Sequence, residues 1–280
     1  MIIGKLFVMS AQKKLIILSL MLLLLVLVSL ALVGGRVNDA EDADQPKIQQ
    51  ESASLVDSIQ TADEPTLEVI KQFKSSEFKQ AYDDLSLPNI TPIVLPPAIT
   101  GNIEADIKIQ SLAEARGYRL RDVVSGLLNR ADNTPVQELL INSWLDLKQR
   151  ALEDGVQIEI TSGYRSIEEQ KQIFLDRLYA AGATVDGISS GTDDAIVEDT
   201  LAITAPPGYS RHHGGYTIDV EDPGSSVFEG SRAHAWIKEN NFEKAKLFGF
   251  IPSYPDGLTN QGPNPEPWEY VWVSRSVTYE

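Results

Sequence analysis

The sequence predicts an α+β domain, with a small, mainly antiparallel sheet flanked by helices and one transmembrane helix ahead of it. Three observations carry this expectation. Apolar residues recur at helical spacing in several segments, Val136–Leu152 being the longest inside the domain. Other segments are short and alternate apolar with polar, as Val156–Thr161 does. The two kinds follow no regular strand–helix–strand alternation, so nothing calls for a parallel sheet.

The first element is Leu15–Val33, nineteen residues in which two serines are the only polar side chains. That approaches the roughly 20 residues a helix needs to span a bilayer. Lys5, Lys13 and Lys14 precede it, and Arg36 and a run of acids follow. The basic side is expected to stay in the cytoplasm. Residues 1–36 then read as a cytoplasmic tip and a single-pass cell-membrane anchor, with the remainder periplasmic or extracellular. A cleaved signal peptide ending near Ser29-Leu30-Ala31 would export the domain equally well. With no cysteine in the chain there is nothing to acylate, so a lipoprotein is excluded.

Residues 37–102 read as an acidic linker. Up to residue 65 they are rich in Asp, Glu, Gln and Ser and poor in aromatics. Thr66–Leu85 places Leu67, Val69, Ile70, Phe73, Phe78 and Tyr82 as one amphipathic helix would. Four prolines between Pro88 and Pro97 then break regular structure. The main domain is expected over 103–280. Helices are predicted at Ile107–Ala115, Val136–Leu152, Ile167–Ala181 and Arg232–Phe248. Pro135 suits the first turn of the second helix, and Gly155 its end. Strands are predicted at Val156–Thr161, Tyr216–Val220 and Tyr270–Val273. Gly182–Asp194 reads as loop, and Gly182–Pro207 as part of a cleft rim.

The formal charge of the 280 residues is −16. Nucleic-acid partners are disfavoured, because phosphates demand Lys and Arg. The absence of cysteine also excludes disulfide scaffolds and thiolate-bound zinc.

Two segments carry the chemistry. Ser210-Arg211-His212-His213-Gly214-Gly215-Tyr216-Thr217-Ile218-Asp219 sets an imidazole and a carboxylate seven residues apart, with two glycines between them to let the backbone turn. Glu266-Pro267-Trp268-Glu269 sets two more carboxylates three apart. A hydrolytic zinc site uses three protein ligands and a water, with a carboxylate nearby to take the water's proton. His212, Asp219 and one of the two glutamates can serve as ligands, and the other glutamate as base. His213 is expected to point elsewhere, and His234 to be structural.

The first segment resembles the pattern Ser-x-His-x-x-Gly-x-x-x-Asp of the VanY-like D-alanyl-D-alanine metallocarboxypeptidases. Their superfamily also holds lysostaphin-type endopeptidases and the hedgehog domain. The second is similar to that family's Glu-Pro-Trp-His. Ser162-Gly163-Tyr164-Arg165-Ser166 with Gln170, then Lys246-Leu247-Phe248-Gly249-Phe250 and Tyr254-Pro255, resemble further family stretches in the right order over about residues 105 to 275. The resemblance implies one zinc ion held by His212, Asp219 and the residue at 269, with Glu266 as general base. It implies that Arg165 faces the substrate, where it would stabilise the developing oxyanion or pair with a substrate carboxylate, and that Ser210, Gln170, Tyr164 and Trp268 lie on the substrate side. Its implied substrate is the peptidoglycan stem peptide ending in D-Ala-D-Ala.

Three departures stand out. Glu269 replaces the family's histidine ligand, which lowers the charge at the centre and would admit a harder ion such as manganese. Ser253 and Val271 stand where the family often has arginine. Two other readings therefore accompany the carboxypeptidase: an endopeptidase of the same fold, and a peptidoglycan-binding or regulatory module without turnover.

Overall fold

A computed structural model of the protein describes residues 69–280. The apolar segment Leu15–Val33 and the acidic stretch up to residue 68 lie outside the described residues. Leu67–Glu280 forms one compact unit. Among the described residues no helix is long and apolar enough to cross a membrane.

Two short strands, β1 (Ile90–Thr91) and β2 (Val123–Val124), pair with each other, and the centre of the fold is a four-stranded antiparallel sheet in the order β5-β6-β8-β7. Its strands are β5 (Glu159–Ser162), β6 (Thr217–Glu221), β7 (Phe250–Pro252) and β8 (Glu269–Trp272). All three strands read from the sequence are present, shifted by one to three residues. Strand β7 was not anticipated, being three residues long and closed by a proline.

One face of the sheet packs on helix α3 (Glu138–Glu153), whose Leu140, Trp144, Leu147 and Ala151 are buried along one stripe. Trp144 meets Phe250 edge-on at 6.4 Å between ring centres. Leu139 and Leu145 of the same helix are exposed instead. Its end follows the expected glycine motif. Gly155 takes φ 73°. The Val156 and Gly155 amides return to Ala151 O and Leu152 O, at 2.8 and 3.0 Å. The start differs from expectation. Pro135 does not open the helix but lies in strand β4 (Thr134–Gln137), paired with β3 (Leu128–Ala131). The turn residues Asp132 and Asn133 both have positive φ, 47° and 64°, as the tightest hairpin turn requires. The Asp132 carboxylate accepts from Trp144 Nε1 (2.9 Å), Lys148 Nζ (2.6 Å) and the Ile160 amide (3.2 Å), tying hairpin, helix and sheet together.

A second core gathers α2 (Ile103–Ala115), α4 (Ile167–Ala180), α5 (Val185–Ser190) and α6 (Asp194–Leu201) around Ile109, Phe174, Ile188 and Leu201. Gly182–Asp194 is thus not plain loop: Thr184 Oγ1 caps a short helix by accepting the Gly187 amide. Helix α4 starts from a reciprocal cap, Ser166 Oγ accepting the Glu169 amide and Glu169 Oε2 accepting the Ser166 amide.

The expected helix over Thr66–Leu85 is shorter, α1 at Ser75–Asp83. Ile70 instead bridges to Tyr279 as extended chain. This region packs on the domain. Phe78 is buried against Phe73 and Phe242, and the buried Lys246 donates to Lys71 O (2.6 Å) and Asn241 Oδ1 (2.8 Å). The boundary read at residue 103 therefore falls inside the packed unit. Helix α7 (Arg232–Lys246) is interrupted at Glu239–Phe242, where Asn240 and Asn241 take the left-handed conformation that asparagine tolerates.

Candidate metal centre and cleft

His212 lies on a 3-10 turn, Arg211–Gly214, stopped by Gly215 at φ 72°. A side chain at 215 would also press on Leu128 and Gln137, at 3.1 and 3.3 Å from its Cβ, so this position needs glycine twice over. Ser210 Oγ accepts the His212 amide at 3.3 Å and sets the turn. The ring is fixed from behind by Gly163 O, 2.6 Å from Nδ1. A carbonyl only accepts, so Nδ1 carries hydrogen and Nε2 faces forward. Gly163 in turn is enclosed: a Cβ there would stand 2.5 Å from Pro135 O.

In front of Nε2 stand two carboxylates delivered by the sheet. Asp219 of β6 and Glu269 of β8 are directly opposed in the ladder. His212 Nε2 lies 3.4 Å from Asp219 Oδ1 and 3.3 Å from Glu269 Oε2. One ligand atom from each of the three lies within 4.8 Å of the others. Asp219 Oδ1 and Glu269 Oε1 are buried without a hydrogen-bond partner. Zinc–ligand bonds of about 2.0–2.1 Å at the tetrahedral angle set donors roughly 3.3 Å apart. The two His-to-carboxylate separations match that edge, so these residues fit a divalent ion. His212, Asp219 and Glu269 would hold it.

The electrostatics agree. Burial pulls the His212 imidazole down, but Asp219 and Glu269 outweigh it and hold it up at about 10. Burial also opposes the charge of Glu269, yet its contact with His212 and the charge of Arg211 keep it well below the usual carboxylate range. Glu266 goes the other way, raised by burial and by the neighbouring Glu269 charge. Two carboxyls three residues apart are thus pushed in opposite directions, as an acid–base partner and a ligand would be.

These groups line a cleft of about 540 Å³, in the usual range for small-molecule sites. Arg165, Gln170, Ser210, Glu266 and Trp268 all line it with the three candidate ligands. Tyr164 does not: its amide bonds Pro135 O, and its ring lies outside the lining. Arg165 donates to Gln170 Oε1 (2.8 Å) and Ser162 Oγ (2.9 Å), and lies 3.9 Å from Asp219 Oδ2. Gln170 is buried and spends its amide on Ala205 O (2.6 Å), so it positions Arg165 as well as lining the cleft. Residues 202–205 form part of the wall, as expected of the rim. His213 points away, its Nδ1 bonding Arg165 O (2.7 Å) and its Nε2 accepting the Gly208 amide (3.0 Å). Burial pushes it down to about 4. His234 accepts the Gly230 amide, a local structural bond.

Sequence reasoning passed over Arg211, Arg177 and Asn264, which also line the cleft. Arg211 is buried, bonds Ser253 O, and has the rings of Tyr82 and Tyr254 at 4.4 and 4.1 Å from its guanidinium carbon. Its place inside the histidine segment was the available signal. Ser253 supplies the carbonyl it binds.

Comparison with known proteins supplies the remaining evidence. A D-alanyl-D-alanine carboxypeptidase of Enterococcus faecalis is 32% identical over 148 residues, covering 52% of this chain and 52% of the relative. One of Enterococcus faecium is 29% identical over 152 residues, covering 53% and 40%. The chain thus spans about half the length, or less, of these curated relatives. The solved structure of VanYB in complex with D-alanine-D-alanine aligns at 26% identity and TM-score 0.42, over 56% of this chain and 81% of that one. A mutant VanY D,D-pentapeptidase in complex with Zn(II) aligns at 26% and 0.41, over 57% and 82%. The family model for VanY, D-alanyl-D-alanine carboxypeptidase, matches residues 133–275, which is 275 − 133 + 1 = 143 of the 280 residues. This span holds the sheet, the three candidate ligands, Glu266 and Arg165, and on it the chain belongs to the VanY family of D-alanyl-D-alanine carboxypeptidases.

Proposed function

We propose that the protein is a zinc-dependent D-alanyl-D-alanine carboxypeptidase that removes the last D-alanine from peptidoglycan stem peptides. The observation that carries this reading is the convergence of His212, Asp219 and Glu269 in one cleft with a carboxyl of opposite tendency, Glu266. A bound divalent ion supplies Lewis-acid polarisation and a water acidic enough to be deprotonated near neutral pH. Glu266 takes that proton as the water oxygen bonds to the scissile carbonyl carbon. It returns the proton to the amine as the C–N bond breaks, so free D-alanine leaves. With a cation held by His212, Asp219 and Glu269, the raised Glu266 would come down toward the range where a base is useful. Arg165, held by Gln170 and Ser162, offers its guanidinium to the developing oxyanion. Ser210 holds the histidine turn, and Trp268 walls the cleft.

In this reading residues 1–36 anchor the chain by Leu15–Val33, and the domain faces the cell wall outside the cytoplasm. A ligand set of one imidazole and two carboxylates also accommodates manganese. The test is a stem pentapeptide ending in D-Ala-D-Ala, incubated with protein and zinc and followed by mass spectrometry. Loss of one alanine is expected. Chelator should abolish it, and Glu266→Gln should slow it by roughly 10²–10⁴-fold while metal stays bound. Intact peptide beside tightly held zinc would refute the assigned bond. Intact peptide with no metal retained would favour a binding module.

A further inference from the structure

A second cavity of about 250 Å³ shares only Arg211 with the cleft. Arg119 and Arg121 line it as well, so three arginines border this cavity. Arg121 and Arg211 both lie against Tyr82, with guanidinium carbons 4.8 and 4.4 Å from the ring centre. They are therefore no more than 4.8 + 4.4 = 9.2 Å apart. Arg119 reaches its nearest carboxylate, Asp83, only at 3.9 Å, and Asp83 is already bonded to Lys79. Asp122 is the other acid in the lining. Three positive groups against two negative ones leave a cationic excess, inside a chain of net charge −16.

Two polar groups of this wall are unsatisfied. Arg121 Nε is buried without an acceptor, and Thr217 Oγ1 has no partner although Thr217 is 1% exposed. A buried donor left unpaired is costly, and the charge of a guanidinium raises that cost. An acceptor carrying negative charge is the kind of group that such donors lack. Leu85, Leu87, Ile90 and Leu120 add apolar surface to the wall. Guanidinium forks bind carboxylate and phosphate oxygens in pairs.

We propose that this cavity is a second site, separate from the cleft, that binds a small oxyanion, a carboxylate or a phosphate, through Arg119, Arg121, Arg211 and Thr217. It does not rest on the proposed peptidase activity. Because Arg211 and His212 are neighbours in one turn, the anion would also brace the turn that carries the candidate ligand.

The test uses the full chain at constant ionic strength, with chloride exchanged for inorganic phosphate in one series and acetate in another. Binding is read by calorimetry and by melting temperature. Saturable binding of at least one anion is expected, weakened tenfold or more by Arg119→Gln and by Arg121→Gln. Arg119 is solvent-facing, so its substitution does not threaten folding, and both residues lie outside the cleft. Response to acetate alone would identify a carboxylate site, and response to phosphate alone a tetrahedral one. A response that never saturates, or saturable binding unchanged in both arginine variants, would overturn the proposal.

Discussion

Metal affinity should rise steeply with pH, and the slope reports directly on His212. In the metal-free protein the imidazole is held at about 10 by Asp219 and Glu269, so it is protonated throughout the neutral range. An ion must displace that proton to reach Nε2. The free-imidazole fraction then grows tenfold per pH unit, and apparent affinity should tighten about 100-fold from pH 6 to pH 8, or about 2.7 kcal/mol. A histidine of ordinary pKa near 6.5 would change by only about fourfold over the same interval. Competition against a chromophoric chelator at pH 6, 7 and 8 measures the slope. Calorimetry in two buffers of different ionisation heat counts the protons released. A change of fourfold or less, with no proton released, would show that Nε2 is not held charged between the carboxylates and would refute the electrostatic reading of the site.

Other outcomes follow from the same geometry. Metal-free protein should lose stability as pH rises from about 6.5 to about 9, where the folded state holds protons on Glu266 and His212 that the unfolded chain releases; below that window His213, held down at about 4, offsets the trend, and above it Lys246, held down at about 8, does the same. Thermal melts with chelator would show the decline, and added zinc should reverse it. Gly163→Ala drives a Cβ against Pro135 O and displaces the carbonyl that fixes His212. Zinc affinity should fall by roughly 10–100-fold in the same chelator competition, as for other disturbed outer-shell partners. Trp144→Ala empties the centre of the core and should cost about 3–5 kcal/mol in urea unfolding. Lys246→Met strands the Lys71 carbonyl, while Asn241 Oδ1 keeps the Phe73 amide, and should cost about 1–3 kcal/mol by the same measurement.

The parts of the fold that could be read in advance are those where local chemistry decides. Gly155 ends its helix because only the left-handed conformation closes that motif. The helix predicted from Ile167 is present, and the structure shows Ser166 and Glu169 starting it, each satisfying the other's amide. Position 135 shows the limit. A proline before an apolar helical stripe suits a first helical turn, but the two-residue turn at Asp132-Asn133 pairs it with Arg130 instead. That pairing depends on Trp144, Lys148 and Ile160 closing on Asp132, contacts up to 28 residues away in sequence. In the site, the grouping of His212 and Asp219 with a glutamate was legible from residue types, while the choice of Glu269 over Glu266 came from the family resemblance. Gln170 was legible as a polar neighbour but not as the clamp on Arg165. Tyr164 sat in the right motif and turned outside the cleft. Arg211 was hidden because its partners, Tyr82 and Tyr254, come from segments 129 residues behind and 43 ahead of it.

Asp219 and Glu269 face each other across one rung of the sheet, an arrangement in which like charges normally push strands apart. The protonated His212 lies between the two carboxylates and supplies the positive charge that offsets their repulsion. A chain that folds ahead of its metal can therefore zip β6 to β8 on a borrowed proton, and trade that proton for an ion later without rebuilding the sheet.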